Sequence, residues 1–252
     1  MNSNEWELKK QIVDIAHKLW ELRFVAANDG NISIKMNDRE VLTTPTGISK
    51  GSLTVDMIIK TDMKGKPITF NSKYKPSSEV KMHIEVYEQR SDVKSIVHAH
   101  PPFCTSFAVA GIPLDKCILP EAILTLGAVP ITPYGMPSTM EIPDAIRPYI
   151  QNTDAVLLAN HGALTMGHDL TAAYYRMETL EHSAHILYRA MQLGNINQIA
   201  PSEIVRLMQL RKDMNIPGKI QEPTKCMAGG DVSDAMIDEI TRKVMEKVRN
   251  SR

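Results

Sequence analysis

The spacing of apolar residues predicts the first elements of secondary structure. Between residues 6 and 22, leucine and isoleucine recur every three or four positions, which places them on one helical face. These positions are Leu8, Ile12, Ile15, Leu19 and Leu22. Residues 32–36 then alternate between apolar and polar, and a second short run over 40–44 follows the turn at Asn37 and Asp38. The pattern predicts an amphipathic helix followed by a β-hairpin.

The same patterns predict most of the remaining elements. A helix is expected from Val80, because Val80, His83, Ile84 and Tyr87 follow helical spacing, and Ser77 and Ser78 then occupy the N-cap region. The longest apolar stripe, which repeats at helical spacing over six turns, predicts a helix between residues 170 and 193. Shorter runs predict strands over 57–61 and 126–134, and helices over 103–109 and 143–150.

Three histidines fall at the ends of predicted strands. Residues 93–100 form a short run rich in β-branched residues, and two prolines stop it directly after His100. Side chains two apart on a strand point to the same face, so His98 and His100 project together, whereas a helix would separate them by about 200°. A continuous apolar run over 155–160 predicts a strand buried on both faces, which ends at His161. The arrangement indicates a metal site, although an isolated His-x-His pair also occurs simply at sheet edges.

The other histidines are interpreted as structural or surface residues. His83 is kept as a candidate, because it follows Glu79 by four residues on the predicted helix. The five histidines outside the three at strand ends are His17, His83, His168, His182 and His185.

Two turns and one helix start have the composition of an anion site. Glycines beside small polar side chains, at residues 28–31 and 45–47, leave backbone N–H groups accessible. Ser77 and Ser78 place hydroxyl groups at a helix N-terminus, where free N–H groups and the helix dipole favour phosphate. Taken alone, each of these turns is more often an ordinary turn, and ordinary helix capping is the alternative explanation of the two serines.

Composition narrows the possible functions. Lysine plus arginine and aspartate plus glutamate both number 29, so a nucleic-acid-binding surface is not expected. No apolar run approaches the roughly 18 residues of a membrane span, and the N-terminus is acidic rather than signal-like. Cys104, Cys117 and Cys226 lack Cys-x-x-Cys spacing and are expected to be reduced thiols. We therefore expect a cytoplasmic protein with no membrane contact.

Five motifs in a fixed order resemble those of a known family. They are Gly30-Asn31-Ile32-Ser33, Thr44-Pro45-Thr46-Gly47, Pro76-Ser77-Ser78-Glu79, His98-Ala99-His100-Pro101 and Asn160-His161-Gly162. Together they resemble the class II aldolase/adducin family, in particular its fuculose-phosphate aldolases, from about Trp6 to about Gly218. The resemblance implies an α/β fold with three α/β/α layers around a mixed, largely antiparallel sheet.

The resemblance also assigns roles to these residues. One Zn²⁺ per subunit would be held by His98, His100, His161 and Glu79, and Glu79 would act as the acid/base during turnover. An aspartate at position 79 would have indicated the sugar-phosphate epimerase branch instead. The substrate phosphate would be bound by Gly30, Asn31, Thr46, Gly47, Ser77 and Ser78.

The expected activity is that of a carbon–carbon lyase. A deoxyketose 1-phosphate, such as L-fuculose or L-rhamnulose 1-phosphate, would be cleaved into dihydroxyacetone phosphate and L-lactaldehyde by a homotetramer. A 4-epimerase and a methylthioribulose-1-phosphate dehydratase are alternatives on the same scaffold. A non-catalytic, adducin-like interaction domain is a third alternative, but its metal histidines would be expected to be missing.

One position departs from the family pattern. The fuculose aldolases use a tyrosine from the adjacent subunit, and the corresponding position here is Leu119. Glu121 and Tyr134 are the candidate replacements as proton donor.

The C-terminal residues lie beyond the resemblance. We expect the aldolase domain to cover 1–220, a flexible linker to cover 221–231 and an amphipathic helix to cover 232–252. Its apolar stripe would consist of Met236, Ile237, Ile240, Val244 and Val248. This arrangement resembles the encapsulation peptides that attach enzymes to bacterial microcompartment shell proteins. A terminal helix docked on the tetramer is the alternative.

Overall fold

A seven-stranded sheet forms the centre of the protein. The structure is a computed structural model and describes residues 3–68 and 73–227. In chain order the elements are α1 Ser3–Glu21, β1 Asn31–Lys35, β2 Glu40–Thr43, β3 Ile59–Asp62, α2 Val80–Gln89, β4 Ser95–Ala99, α3 Pro102–Ala110, α4 Pro120–Thr125, β5 Ile131–Thr132, α5 Glu141–Ile146, β6 Ala155–Leu158, β7 Gly162–Gly167, α6 Leu170–Leu193, α7 Pro201–Asp213 and α8 Thr224–Met227.

The strands lie in the order β3-β2-β1-β4-β7-β6-β5. Every neighbouring pair is antiparallel except β5 and β6, which are parallel. The mixed, largely antiparallel sheet predicted for the family is therefore confirmed.

Helices cover both faces of the sheet because its central strands alternate apolar side chains between two cores. On β4, Val97 packs with residues of α1, α3 and α6, whereas the neighbouring Ile96 packs with residues of α2 and α5. Successive strand residues point to opposite faces, so one short strand contributes to both cores. This explains why the strand is buried throughout and confirms the three-layer α/β/α architecture.

Several elements differ from the sequence-based expectation. The long helix α6 occupies the predicted residues, but β7, α4 and α7 were not predicted. Strand β7 begins and ends with glycine, which is uncommon in strands, but it pairs with β4 on one side and with β6 on the other. The strand predicted over 126–134 is reduced to Ile131–Thr132, since Pro130 and Pro133 flank it and cannot donate ladder hydrogen bonds.

Residues 217–227 pack on the domain. Asp154, which is buried, accepts hydrogen bonds from the Lys219 backbone and from Arg90, and pairs with Arg176. The Gln221 backbone forms bridges with residues 127 and 128. The first seven residues of the predicted linker therefore contact the domain instead of extending from it. Residues 228–252, which include the predicted helix over 232–252, lie outside the described residues.

A disulfide corrects the expectation of three reduced thiols. Cys117 precedes α4 and Cys226 lies on α8, and the two are bonded across 109 residues of sequence. Cys104 is free and buried, and burial raises the pKa of its thiol. Sequence spacing gave no indication of the pair, because only the packing of α8 beside α4 and α7 brings it together. The cysteines therefore no longer support the expectation of a reducing compartment.

Among the described residues, no helix combines the length and the apolar character needed to cross a membrane.

Candidate metal centre

The histidines predicted to bind metal meet at one edge of the sheet. Strands β1 and β4 are antiparallel with Asn31 opposite His98, and β4 and β7 are antiparallel with Ala99 opposite Ala163. The start of β1, the end of β4 and the start of β7 therefore lie side by side. His161 occupies the turn between β6 and β7, at the same edge.

The three imidazole rings form a compact cluster. Ring centroids of His98, His100 and His161 are 4.8–4.9 Å apart, and each ring offers a nitrogen within 4.8 Å of the others. The Nε2 atoms of His98 and His100 are 3.1 Å apart. Two nitrogens bound to one tetrahedral zinc at about 2.0–2.1 Å lie roughly 3.3 Å apart, so the donor set fits such an ion.

The surroundings keep the ring nitrogens available as ligands. The carbonyl oxygen of Ala163 accepts a hydrogen bond from Nδ1 of His98 at 2.9 Å, which leaves the lone pair on Nε2. His100 Nδ1 lies 3.5 Å from the Asp29 carboxylate. Burial lowers the pKa of both His98 and His100, which favours the neutral imidazole that a metal requires.

Glycine at position 162 permits the close approach of the turn that carries His161. A Cβ at this position would lie 2.5 Å from the Ala99 carbonyl oxygen and 2.7 Å from the His100 ring. The preceding Asn160 has a positive φ of 56°, a conformation that asparagine tolerates better than most residues. In the motif Asn160-His161-Gly162, the first and third residues therefore suit the backbone conformation of the turn, and His161 supplies the ring nitrogen.

Glu79 lies beside the histidine cluster, immediately before α2. Its two carboxylate oxygens are 3.5 Å from His98 Nε2 and 3.2 Å from His161 Nε2, and one of them accepts a 2.7 Å hydrogen bond from the Asn31 amide. Burial raises the pKa of the Glu79 carboxyl, but His98, His161 and the Asn31 hydrogen bond outweigh burial and leave that pKa below its ordinary value. The carboxylate is thus held ionised and directed at the cluster.

The predicted N-cap requires a correction. Helix α2 begins at Val80, and the residue at its N-cap is Glu79, whose side chain caps no backbone N–H. The Ser77 hydroxyl instead accepts a 3.3 Å hydrogen bond from the Glu79 backbone N–H. The turn over residues 77–79 therefore places the carboxylate at the cluster, a role that sequence spacing alone did not suggest.

The turns expected to bind phosphate are assembled by backbone hydrogen bonds. The carbonyl oxygen of Thr44 accepts a hydrogen bond from the Ser77 N–H at 3.2 Å, and the Thr46 N–H donates to the carbonyl oxygen of Lys75 at 2.9 Å. These bonds join the segment over 44–46 to the segment over 75–77 at the same sheet edge. Gly30 and Gly47 have φ values of 72° and 73°. The Asn31 side chain contacts Glu79, and the Ser78 hydroxyl lies 2.7 Å from that of Ser138. The phosphate-binding role of the six residues stays a prediction.

Lys50 is a residue of this region that the sequence analysis missed. It is only 1% exposed, and its ammonium donates to the carbonyl oxygens of Asn28 and Ile48, each at 3.2 Å. Burial lowers its pKa to about 8, against the opposing effect of the Asp29 and Glu79 carboxylates. It joins the two turns that carry the glycines. Nothing in the sequence distinguishes a buried lysine from the many that lie at the surface.

The two candidate proton donors occupy different places. Tyr134 follows β5, whose C-terminal end lies at the edge of the sheet that carries His161, and its side chain is 55% exposed. Glu121 is exposed in the first turn of α4, a helix that packs against α6 and α7. Leu119 is the residue preceding α4. No hydrogen bond or ion pair within the described residues joins any of the three to the histidine cluster.

Comparison with known proteins shows which family the chain resembles over most of its length. The family model for the class II aldolase and adducin N-terminal domain matches residues 10–188. An L-fuculose phosphate aldolase from Methanococcus vannielii is 35% identical over 185 residues, which cover 72% of this chain and 96% of that protein. A 3-oxo-tetronate 4-phosphate decarboxylase from Pectobacterium atrosepticum is 29% identical over 190 residues, which cover 74% and 86% of the two chains.

A solved structure of an L-fuculose 1-phosphate aldolase matches the fold with a TM-score of 0.75 at 26% identity, over 84% of this chain and 98% of that one. These similarities confirm the prediction of a lyase-type enzyme. The chain belongs to the class II aldolase and adducin family.

Proposed function

We propose that this protein is a zinc-dependent aldolase that reversibly cleaves a deoxyketose 1-phosphate into dihydroxyacetone phosphate and L-lactaldehyde, with L-fuculose or L-rhamnulose 1-phosphate as substrate. The observation that carries the proposal is the position of Glu79, whose carboxylate faces three clustered histidine nitrogens. Metal ligands and a proton carrier beside turns rich in N–H and hydroxyl groups are what cleavage of a phosphorylated ketose requires.

The residues divide the chemical work. A zinc ion held by His98, His100 and His161 would supply Lewis-acid stabilisation for negative charge on the substrate oxygens. The pocket formed by the turns over 30–31, 46–47 and 77–78 orients the substrate through its phosphate. When the C3–C4 bond breaks, its electrons remain on C3. Glu79, which is ionised in the free site, would take up a proton from solvent once the substrate displaces it from the histidine cluster. It would then deliver that proton to C3, which becomes the methylene carbon of dihydroxyacetone phosphate. The proton leaving the C4 hydroxyl needs a separate acceptor, and the group that accepts it in cleavage donates it in the reverse reaction. Glu121 and Tyr134 are the candidates for this group.

Decarboxylation of a 3-oxo-tetronate 4-phosphate is the second candidate function. Loss of CO₂ from that β-keto acid leaves the same three-carbon enediolate, and Glu79 would protonate it in the same way. Aldol cleavage requires removal of the proton on the C4 hydroxyl of the ketose, but decarboxylation has no such step. It therefore needs no residue equivalent to the family's tyrosine. Leu119, at the corresponding position, favours this reading, as does the similarity to a decarboxylase. A 4-epimerase is less consistent with a glutamate at position 79, because the epimerase branch of the family would be expected to have aspartate there. A methylthioribulose-1-phosphate dehydratase stays an alternative that product analysis separates.

A substrate panel distinguishes these reactions. The zinc-loaded protein is incubated with L-fuculose 1-phosphate, L-rhamnulose 1-phosphate, 3-oxo-tetronate 4-phosphates and methylthioribulose 1-phosphate. Dihydroxyacetone phosphate is measured by a coupled assay, and CO₂ and lactaldehyde are measured separately. Dihydroxyacetone phosphate together with lactaldehyde supports the aldolase, and dihydroxyacetone phosphate together with CO₂ supports the decarboxylase. Dehydration or epimerisation without carbon–carbon cleavage would contradict both.

We further propose a homotetramer with one zinc per subunit, in the cytoplasm. The support is the family resemblance, in which active sites lie at subunit interfaces. Sedimentation equilibrium at micromolar concentration measures the assembly, and a fully active monomer would contradict the proposal.

The C-terminal residues are proposed to bind a microcompartment shell protein. The support is the sequence pattern of 232–252, whose apolar stripe is short enough to need a partner for stable helix formation. Attached to a fluorescent protein in a compartment-forming host, residues 228–252 are expected to give punctate fluorescence. Replacing Ile240 and Val244 with aspartate should make the signal diffuse, because charge would interrupt the apolar stripe. Diffuse fluorescence from the unmodified tail would leave docking on the protein's own tetramer as the explanation.

A further inference from the structure

A buried polar network connects β1 with α2, directly beside the candidate metal centre. The Ser33 hydroxyl lies 2.7 Å from His83 Nδ1 and 2.7 Å from the Tyr87 hydroxyl. Ser33 and His83 are fully buried, and Tyr87 is 2% exposed. Buried polar groups that satisfy one another fix the relative position of two elements more narrowly than apolar packing does, because they bond in only one register.

The network continues the contact that holds Glu79. Asn31 and Ser33 are two residues apart on β1 and point to the same face, while Glu79 and His83 are four residues apart at the start of α2. Asn31 bonds to Glu79, and Ser33 bonds to His83 and Tyr87. Successive side chains of the strand thus bond to successive turns of the helix. Asn31 also pairs with His98 across β1 and β4, so the ladder is in register with a candidate ligand.

Packing alone does not explain why position 83 has a histidine. Its Nε2 is buried and has no hydrogen-bond partner among the described residues. An unpaired buried donor or acceptor costs about 1–3 kcal/mol, whereas an apolar side chain of similar volume would cost nothing of this kind. Burial lowers the pKa of His83 to about 3, so the ring is neutral at working pH. A neutral ring accepts at Nδ1 when Ser33 donates, and the Tyr87 hydroxyl then donates to Ser33.

We propose that His83 is a positioning residue for catalysis, which acts through Ser33 to hold the start of α2 against β1 and thereby sets the Glu79 carboxylate at the histidine cluster. The inference rests on the proposed function of Glu79 as the proton carrier. Outer groups that orient metal-site residues affect activity or metal affinity by about 10–100-fold when they are removed.

Two substitutions of His83 test the proposal in the zinc-loaded protein. His83→Leu keeps the volume but loses the bond to Ser33, and Ser33 and Tyr87 can still bond to each other. His83→Asn places an amide where Nδ1 lies and restores a partner for Ser33. We expect His83→Leu to lower kcat by about 10–100-fold with KM and zinc content little changed. His83→Asn should recover most of the loss.

Ser33→Ala provides the coupling test. Because both single variants break the same hydrogen bond, the Ser33→Ala/His83→Leu double variant should be no more than about twofold slower than the slower single variant. Val86→Ala is the matched control, since Val86 is fully buried on α2 but makes no side-chain hydrogen bond. It should lower the melting temperature with kcat within about twofold of the original protein. Two results would overturn the proposal. One is a double variant whose loss of kcat is the product of the two single losses, and the other is a His83→Leu variant no slower than Val86→Ala.

A measurement without substrate separates this proposal from the proposed function. In the cobalt-substituted protein, the visible absorption spectrum reports the groups around the metal. A changed spectrum in His83→Leu with full cobalt content, and an unchanged one in Val86→Ala, would support displacement of Glu79 even if no tested ketose is cleaved. Identical spectra for His83→Leu and the original protein would overturn the positioning role, whatever the substrate is.

Discussion

Replacing Glu79 with glutamine is expected to lower kcat by about 10²–10⁴-fold, the usual contribution of a positioned acid/base. Glutamine has the same shape, and its amide oxygen can still accept the hydrogen bond that Asn31 donates to Glu79. It cannot carry a proton between substrate atoms. Because His98, His100 and His161 are unchanged, zinc content and KM should alter far less than kcat. Steady-state kinetics with the preferred substrate and metal analysis by atomic emission measure the two effects.

An exposed glutamate of α2 supplies the control for the Glu79 variant. Glu88 is exposed near the C-terminal end of α2, the helix that begins directly after Glu79, so Glu88→Gln makes the same chemical change away from the histidine cluster and should leave kcat within about twofold. The same pair of variants also applies if the reaction is a decarboxylation, since Glu79 would protonate the same carbon. A Glu79→Gln variant with nearly normal kcat would show that another group carries the proton.

Changing His98 and His100 together to alanine should remove most of the bound zinc and reduce activity below detection. Two of three imidazole ligands would be lost, and His161 with one carboxylate does not make the three protein ligands that a catalytic zinc site requires. The comparison is the double variant His168→Ala/His182→Ala, because both of these histidines are exposed, His168 follows the end of β7 opposite to the end that carries His161, and His182 lies on α6.

Zinc per chain, measured after dialysis against a weak chelator, decides the assignment of the ligands. We expect about one zinc in the original protein and in the control variant, on the assumption of a single three-histidine site. Full zinc occupancy in the His98→Ala/His100→Ala protein would rule out this cluster as the metal site. Loss of zinc from the control variant as well would point to a different set of ligands.

The sequence by itself predicted the parts of the fold that depend on local periodicity. Helix α6 occupies the predicted residues because its apolar stripe repeats over many turns. Alternation predicted the hairpin of β1 and β2, and β-branched residues with terminating prolines predicted β4. Part of the metal site was also predicted from local sequence, since two histidines at this spacing share a face on a strand but not on a helix. These are His98 and His100. His161 joined them in the prediction through its place at another strand end and through the family motifs.

Only the tertiary structure decided the features that depend on distant residues meeting. Strand β7 has weak local preference and exists because β4 and β6 pair with it on both sides. Lys50 became part of the site through carbonyl groups of two turns. The pairing of Asn31 with Glu79, and of Ser33 with His83, depends on α2 lying across β1. Periodicity determines which face of an element is apolar, but the register between two elements depends on contacts far apart in sequence, and that register places the Glu79 carboxylate beside the three histidines.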